Sequence, residues 1–535
     1  MNASSWKNRS LLLISAFTLF RLMMIGRTGL GDSESYYWTW SRHLDLSYYD
    51  HPPVVAWLIR LFTSIGGDSS FWTRLPSTIL FLGICWFLYR TAERLFDAET
   101  GFWSLLIFNL MPLFSVAALQ MVPDIPAAFF WMLFVYLVIR LLDEDRPLMW
   151  YPVGAVVGLG LLSKYMVAPL VPATVLMLAW HPEYRKHLKQ PHIYLGGVLG
   201  LVVFSPVLIW NYINGFPSFR FHLIDRQQEA HFQLEQMGEF LGGQALYLSP
   251  LIWFGLLYVL YRCGRALFVD KDKRFAALFW YSAAPLAFFY FISLWSKESE
   301  PHWPAFGYLT LVVAWAAFYV RAKGGLRKYT IASLALSGVL ITVFYVHTFV
   351  PILPIKPKYD IVNELFGWDK VSAEVDKAIA SAIQQLKAFP PVAPGAGTSP
   401  VQTQPGKPEP KPKLFILGPD KLPEFIKRAE QRYKAKIQPI IDGLLDKDKQ
   451  AAQDQMKRAL RRIDDFVHSF VGKPIPPIGK VPAEQVLINL IDAFVDQEID
   501  KFKIVTGYGG DSSPPRKPTE SVQDTVLDQH NLDMI

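Results

Sequence analysis

The chain has 535 residues, of which 51% are hydrophobic and 15% aromatic, and its mean hydropathy is +0.21. Several apolar runs approach the roughly 20 residues needed to cross a bilayer, which excludes an ordinary soluble protein. The net charge of +7 does not indicate a nucleic-acid partner, because membrane proteins collect Lys and Arg in cytoplasmic loops. The two cysteines indicate neither a disulfide framework nor a metal site. The sequence therefore predicts an all-α polytopic membrane protein.

Hydropathy predicts about eleven membrane-spanning segments. The first lacks a small-residue cleavage site and is interpreted as a retained helix, although it follows basic residues as a signal peptide would. Val54–Ile65 is too short to span and is expected to lie along the membrane surface as an amphipathic helix. The segments are Ser10–Ile25, Leu75–Tyr89, Phe102–Leu119, Ile125–Leu142, Tyr151–Leu162 (short enough to be re-entrant), Val167–Trp180, Ile193–Tyr212, Leu241–Tyr261, Phe275–Trp295, Trp303–Val320 and Tyr329–Val350.

Basic residues alternate between dense and sparse connections along the chain. The dense connections carry Lys7/Arg9, Arg90/Arg94, Arg140/Arg146, Arg185/Lys186/Lys189, Arg262/Arg265/Lys271/Lys273/Arg274 and Arg321/Lys323/Arg327/Lys328. The positive-inside rule places these connections, and with them the N-terminus, in the cytoplasm. The acidic loop after the first segment, the loops around Asp124, Asn211–Phe240 and Lys297–His302, and the C-terminal tail then face outward.

Composition changes after residue 350, the end of the predicted transmembrane domain 1–350. Residues 351–388 are interpreted as a membrane-proximal segment and the Pro-, Gly- and Lys-rich residues 389–413 as a linker. Apolar residues at helical spacing predict a small, mostly helical soluble domain over 414–506, and residues 507–535 are predicted to be disordered. The predicted helices of this domain are Leu422–Leu445, Ala452–Val471 and Ala483–Lys503.

The most unusual stretch is the first outward loop, Gly31–Pro53. It combines carboxylates with histidines and with a run of tyrosines and tryptophans. Aromatic residues are expected at a bilayer surface, but a connecting loop has no structural need for so many acids. An ordinary polar loop and a reactive site at the membrane surface both fit this composition.

The other outward loops add acids and cations. Asp124 lies between two prolines at a helix entrance, where it is either a helix N-cap or a second acid of a shared cavity. Lys164 lies between two apolar segments, where it either snorkels to the surface or pairs with a phosphate or carboxylate. Cations beside acids on the outer face would suit an anionic, lipid-linked substrate. The remaining polar candidates are Arg220, His222, Arg226, Lys297, Glu298, Glu300 and His302.

Six motifs occur in order over residues 10–350: GDSESYYWTWSRHLDLSYYDHPPVVAWLI, FWTRLPS, QMVPDIPAAFFW, GLGLLSKY, SPVLIWNYINGFPSF and EPHWPAF. Together they resemble the polyprenyl-phosphate-dependent membrane glycosyltransferases of the GT-C class. The bacterial branch that includes aminoarabinose and galacturonic acid transferases acting on lipid A is the most similar, and protein O-mannosyltransferases are more distantly similar. YDIVNELFGWDKV, residues 359–371, also looks like the segment that follows the last helix in this family.

The resemblance implies GT-C architecture in the bacterial inner membrane. It also implies inverting transfer of one sugar from an undecaprenyl-phosphate-type donor to lipid A, lipopolysaccharide core or another glycan on the periplasmic face. A carboxylate base deprotonates the acceptor hydroxyl, and cations stabilise the departing phosphate. The implied catalytic acids are Asp32, Glu34 and Asp124; the implied phosphate-binding residues are Lys164, Arg220, Arg226 and Arg74; the implied cavity-lining residues are Tyr36, Tyr37, Asp50, His51, Lys297, His302 and Trp303.

The chain departs from the family pattern at one position. The family has adjacent Asp and Glu before the aromatic pair, whereas here Ser33 precedes Glu34 and the aspartate is Asp32. Either Asp32 enters the site by a one-residue shift, or Glu34 is the base, or the protein is inactive. We favour Asp32 with Glu34 in support.

The expected partners are the polyprenyl-phosphate donor, a lipid or glycan acceptor and the bilayer. His51 and His302, with nearby acids, leave a divalent ion open, although no spacing is diagnostic of one. The alternatives are a protein acceptor, a lipid transporter or flippase, and a catalytically inactive scaffold. A transporter would place ionisable residues within its spans and discontinuous helices in matched halves, whereas here the acids cluster in outer loops.

Overall fold

The computed structural model describes residues 2–350 except 225, 227–231, 233 and 297–298, together with 352–355, 360, 362, 365–366 and 377. It also describes residues 415–506 except 443–445, 469, 472–473 and 476–482. Contacts divide the chain into two units, residues 1–391 and 392–535. The predicted linker 389–413 and tail 507–535 lie outside the described residues.

The first unit is a helical bundle. Its helices are α1 (Ala3–Met24), α2 (Asp32–Arg42), α3 (Val54–Gly66), α4 (Ser70–Leu95), α5 (Ala98–Asn109), α6 (Pro112–Ala117), α7 (Asp124–Glu144), α8 (Trp150–Leu161), α9 (Leu170–Trp180), α10 (Arg185–Leu188), α11 (Pro191–Ile213), α12 (Pro217–Leu223), α13 (Leu234–Leu248), α14 (Pro250–Phe268), α15 (Ala276–Ser293), α16 (Ala305–Arg321) and α17 (Gly325–Phe349). In the described part of the chain, six helices are long and apolar enough to cross a membrane: α4, α7, α11, α14, α17 and the segment Lys273–Ser293 that contains α15. The prediction of a multi-pass helical membrane protein is therefore confirmed.

Three predicted elements differ from the structure. The predicted span Phe102–Leu119 is broken into α5 and α6, because Pro112, at the start of α6, cannot donate the backbone hydrogen bond that would continue α5. The predicted span Leu241–Tyr261 is broken at Ser249, which has φ 74° and precedes Pro250. The acidic stretch predicted as a loop contains a regular helix, α2. Val54–Ile65 forms a short helix, as predicted.

The core of the bundle is centred on α16. Almost every residue of this helix is buried, although it has only 17 residues. Trp315 donates its indole N–H to Thr330 Oγ1 at 2.8 Å, and the ring of Phe306 stacks on that of Trp131. A helix that is apolar on all sides belongs in the interior of a large bundle, and α16 therefore fixes the helices around it.

Helices α8 and α11 pack unusually closely because glycines line their contact. A Cβ atom built on Gly154 would lie 1.8 Å from the carbonyl oxygen of Gly196, and one on Gly158 would lie 2.5 Å from that of Gly200. Small residues at four-residue spacing allow helix backbones to approach in this way within membranes. This contact fixes the position of Lys164, which follows α8 in the chain.

The second unit contains three helices and a two-stranded antiparallel pair. The helices are α18 (Leu422–Asp442), α19 (Asp446–His468) and α20 (Ala483–Thr506), and the strands are Phe415–Ile416 and Pro474–Ile475. The helices agree with the three predicted helical segments to within a few residues at most ends. Tyr433, Ile463 and Val495 meet in a common apolar core, and Arg462 donates to the buried carboxylate of Glu498 at 2.7 Å.

Candidate functional site

Glu34, in the first turn of α2, and Arg74, in α4, form a buried ion pair. Their side chains are 1% and 2% exposed, and the guanidinium donates to both carboxylate oxygens of Glu34. The same carboxylate accepts the backbone N–H of Met121 at 3.0 Å and that of Gly31 at 3.2 Å. Glu34 therefore ties the start of α2 to α4 and to the segment before α7.

The guanidinium of Arg74 is saturated by protein acceptors. Besides Glu34, it donates to the carbonyl oxygens of Ile25, Thr28 and Gly29 and to the Thr28 hydroxyl. Every guanidinium nitrogen of this side chain is thus used within the protein, and the side chain is almost wholly buried. The geometry suits a residue that holds the 25–34 turn in place.

Asp32 differs from Glu34 in its surroundings. It is the first residue of α2, and its side chain is exposed. Its carboxylate accepts only the neighbouring Ser33 backbone N–H among the hydrogen bonds of the described residues. The start of a helix favours a negative charge. The exposed carboxylate is thus accessible to a substrate, whereas that of Glu34 is enclosed.

Asp124 and Lys164 form a second ion pair, which joins two loops. The Lys164 Nζ atom lies 2.8 Å from Oδ1 and 2.7 Å from Oδ2 of Asp124, and the lysine side chain is only 6% exposed. Asp124 begins α7 but makes no capping hydrogen bond, which excludes the N-cap interpretation. The buried lysine also excludes snorkelling, so the carboxylate partner expected for Lys164 is the one observed.

Two histidines from different loops lie near this pair. Burial and the positive charge of Lys164 hold the pKa of His51 well below its usual value. The same two causes lower the pKa of His302 to about 4, against the opposing charge of Asp124. Both imidazoles are therefore neutral near pH 7. The Arg226 guanidinium, whose charge also acts on both rings, lies 5.1 Å from the centre of the Trp303 ring.

Asp50 connects the Gly31–Pro53 segment to α12. The Tyr36 hydroxyl donates to its carboxylate at 3.2 Å, and its carbonyl oxygen lies 2.9 Å from His222 Nε2. Tyr37 lies beside these groups, where burial and then the charges of Asp50 and Asp124 raise the pKa of its hydroxyl. The acids of two separate loops therefore act on one phenol.

The remaining predicted residues are placed as follows. Arg220 lies exposed on α12, and Lys297 lies outside the described residues. Over the described residues, no group of three or more His, Cys, Asp or Glu side chains is arranged to hold a metal ion.

The structure brings residues of five predicted outer connections together around Asp124 and Lys164.

Tyr165 was not predicted as a site residue, and His222 was named only among the polar candidates of its loop. His222 contacts the backbone of Asp50, and its ring centre lies 5.2 Å from that of Tyr165. The Tyr165 hydroxyl lies 2.8 Å from that of Ser218. The position of Tyr165 directly after Lys164 was a usable signal, since neighbours of a buried cation share its cavity. For His222, the sequence offers only its presence in the same outer loop as Arg226.

Comparison with known proteins gives consistent similarities. Residues 50–210 match the family described as dolichyl-phosphate-mannose-protein mannosyltransferase. Lipid A galacturonosyltransferase RgtD from Rhizobium johnstonii is 27% identical over 372 residues, which cover 68% of this chain and 76% of that protein. Undecaprenyl phosphate-alpha-4-amino-4-deoxy-L-arabinose arabinosyl transferase from Pseudomonas savastanoi pv. phaseolicola is 25% identical, covering 60% of this chain and 58% of that protein.

The solved structures that match this chain include ArnT from Cupriavidus metallidurans, in the apo state and bound to undecaprenyl phosphate. The TM-scores are 0.44 and 0.45 at 15% identity, with 94% of this chain and 76% and 77% of those chains covered. The family match over residues 50–210, the curated relatives and the apolar helices show that this chain is a membrane glycosyltransferase similar to lipid A and mannosyl transferases.

Proposed function

We propose that the protein transfers one sugar from a polyprenyl-phosphate donor to a glycolipid acceptor of the bacterial envelope, with inversion at the anomeric carbon. The observation that carries this proposal is the Asp124–Lys164 pair, which lies among charged and aromatic groups of several loops. A cation, acids and aromatic rings at one membrane face suit a sugar linked to a lipid phosphate. The names of the curated relatives support both the donor and the acceptor class.

The proposed base is Asp32. Its exposed carboxylate accepts the proton of an acceptor hydroxyl as the hydroxyl oxygen attacks C1 of the sugar. The bond between C1 and the phosphate oxygen breaks, and the polyprenyl phosphate leaves with the electron pair. A positioned carboxylate contributes roughly 10²–10⁴-fold to such a step. The accessibility of Asp32, compared with the enclosed Glu34, favours this assignment.

Lys164 is the proposed cation for the donor phosphate. It donates to Asp124 through two hydrogen bonds in the structure, and an ammonium has three donors. The departing phosphate gains negative charge, so a cation already fixed in a low-dielectric setting stabilises the transition state more than the substrate. Arg226 and, at greater exposure, Arg220 would complete the positive surface, with Lys297 as a further candidate.

Glu34 and Arg74 contribute to the reaction by holding Asp32 in position, without contacting the substrates. The saturated guanidinium of Arg74 supports a role in holding the turn that leads to Asp32, in place of direct phosphate contact. Tyr36, Tyr37, Asp50, His51, His302 and Trp303 would line the cavity that receives the two sugars. The Asp124 carboxylate would hold the Lys164 ammonium in the orientation needed to contact the donor phosphate.

The membrane arrangement is part of the same proposal. Adding α1, the broken α5–α6 segment and the short helices α8, α9 and α16 to the six long apolar helices gives about eleven crossings. An odd number of crossings with a cytoplasmic N-terminus puts the site and the C-terminal unit on the periplasmic side of the inner membrane. The dense basic connections support this orientation.

The test is the mass spectrum of lipid A, core oligosaccharide and total glycolipid from cells with and without the gene. We expect the loss of one sugar mass from a glycolipid, restored by the wild-type gene. Asp32→Asn should fail to restore it, whereas Asp68→Asn, which removes an exposed acid elsewhere, should succeed. An unchanged glycolipid profile together with a lost periplasmic glycoprotein would instead indicate a protein acceptor, and no change in either would refute the proposal.

A further inference from the structure

Arg21 is a buried cation that has no matching anion among the described residues. It lies on α1 with 3% of its surface exposed, and its guanidinium donates to Asn109 Oδ1 at 2.7 Å. The guanidinium also lies 4.1 Å from the centre of the Phe81 ring. Among the described residues, no carboxylate lies within ion-pair distance of it. A charge at membrane depth is costly unless it is paired, so this arginine requires an explanation that the transfer site does not supply.

A groove lies directly beside Arg21, between α1, the α5–α6 break and α17. It encloses about 440 Å³. Three hydroxyl groups and an amide share its wall with aliphatic and aromatic side chains, and the described lining holds no acid. The lining residues are Leu13, Ala16, Phe17, Phe20, Arg21, Asn109, Leu110, Ser115, Gly338, Ile341, Thr342 and Tyr345.

Exposed apolar side chains flank the groove, as expected of a surface that contacts membrane hydrocarbon. Leu12 and Leu19 on α1 and Val339 on α17, which flank lining residues, are exposed apolar side chains. Arg21 lies three residues before the end of α1, about 4.5 Å along the helix axis. That end leads within eight residues to Asp32. An occupant would therefore enter from the lipid leaflet on the side of the transfer site.

We propose that this groove binds an anionic glycerophospholipid, with the phosphodiester against Arg21 and an acyl chain along the apolar wall. The argument rests on charge. One uncompensated cation matches the single negative charge of a phosphodiester. The second cation nearby, Arg74 in an adjoining cavity of about 220 Å³, is already neutralised by Glu34.

The same lining discriminates between phospholipid head groups. An ethanolamine head group brings an ammonium, which finds no carboxylate among the described lining residues. A glycerol head group brings hydroxyls, which Ser115, Thr342 and Tyr345 can match. The groove should therefore prefer phosphatidylglycerol to phosphatidylethanolamine. The positive charge of Arg21 disfavours the ethanolamine ammonium, and the three hydroxyls match only the glycerol head group. Together these differences correspond to a preference of roughly tenfold.

The experiment is native mass spectrometry of the full-length protein in detergent, titrated with phosphatidylglycerol or phosphatidylethanolamine. A Cβ atom at Gly338 would meet nothing within 4 Å, and this glycine lines the groove, so Gly338→Leu should place a side chain in the groove. Gly197→Leu is the matched control, since it adds the same side chain to an equally open glycine of another helix. We expect Gly338→Leu to lose phosphatidylglycerol adducts roughly tenfold and Gly197→Leu to keep them.

Arg21→Gln provides the independent test of charge. It should weaken the binding of both lipids, because both carry the phosphodiester, and it should reduce the preference for phosphatidylglycerol, because the ethanolamine ammonium no longer faces a cation. Equal binding of the two lipids by the wild-type protein would overturn the proposal, as would unchanged binding and preference in Arg21→Gln or adducts that survive Gly338→Leu. None of these outcomes depends on sugar transfer, so failure here is distinct from failure of the proposed function.

Discussion

Lys164 Nζ lies 2.7 Å from Asp124 Oδ2, although forty residues separate the two in the chain. The pair joins the end of α8 to the start of α7, and it lies within the electrostatic reach of His51 and His302. The cation that we assign to the donor phosphate is therefore held by a carboxylate before any substrate arrives.

Replacement of Lys164 with Met should abolish transfer and also lower stability. Asp124, which is 27% exposed, would lose its partner, and an unsatisfied carboxylate of partial burial costs roughly 1–3 kcal/mol. The double variant Lys164→Met/Asp124→Asn should recover most of the thermal stability, because it removes both charges, but no activity. Equal stability of the single and double variants in a thermal-melt series would show that the pair is not coupled as described.

The Glu34–Arg74 pair should be essential for folding more than for chemistry. Breaking a buried pair by removing one partner costs roughly 3–5 kcal/mol, so Glu34→Gln should lower the melting temperature sharply. Arg74→Lys should also fail, because one ammonium cannot replace the several acceptor contacts of the guanidinium. Purified Glu34→Gln that melts like the wild type but transfers no sugar would instead point to Glu34 as the base.

Acid should destabilise the protein through His302. Its pKa is lowered to about 4 in the folded protein, against about 6.5 in the unfolded chain. Below pH 6.5 the unfolded chain takes up a proton that the folded protein does not, so stability falls with pH until about pH 4. The loss approaches about 3 kcal/mol.

Thermal melting of the purified protein between pH 7.5 and 4.5 measures this effect. His302→Gln should make the dependence shallower, with a remainder from His51, whereas His43→Gln, which removes an exposed histidine just after α2, should leave it as in the wild type. A dependence that is equally steep in His302→Gln would contradict the assignment.

The glycine contact between α8 and α11 should tolerate no side chain. Gly154→Ala places a methyl group 1.8 Å from the Gly196 carbonyl oxygen, which forces the helices apart and displaces the loop that carries Lys164. We expect reduced yield of folded protein by size-exclusion chromatography. Gly197→Ala, on the open face of α11, is the control and should behave as the wild type.

The sequence indicated which loops to compare better than it indicated their contacts. The loops predicted to face outward were chosen from hydropathy and charge, which are local properties, and residues of those loops lie close together in the structure. The Glu34–Arg74 pair could not be predicted, because forty residues separate its partners and only the packing of α2 on α4 brings them together. The resemblance implied a phosphate contact for Arg74, whereas its donors are used by Glu34, by the Thr28 hydroxyl and by backbone carbonyl groups.

The errors in the predicted helices also have physical causes. Hydropathy averages over a window, so it does not detect a single residue such as Ser249 whose backbone conformation ends one helix before Pro250 begins the next. The helix α2 was likewise missed. Its first turn contains Asp32 and Glu34, and acidic residues at this density are typical of loops. Arg21 was passed over because it lies in an apolar segment, where one cation hardly changes the mean hydropathy.

The most direct test of the central claim is transfer by the purified protein in liposomes that contain an undecaprenyl-phosphate-linked sugar and a lipid A acceptor. Candidate donors would carry galacturonic acid or aminoarabinose, with donor binding measured separately. We predict that the wild type and Asp68→Asn form the glycosylated product, and that Asp32→Asn loses roughly 10²–10⁴-fold in rate while it still binds the donor. Transfer by Asp32→Asn at the wild-type rate would contradict the assignment of Asp32 as the base.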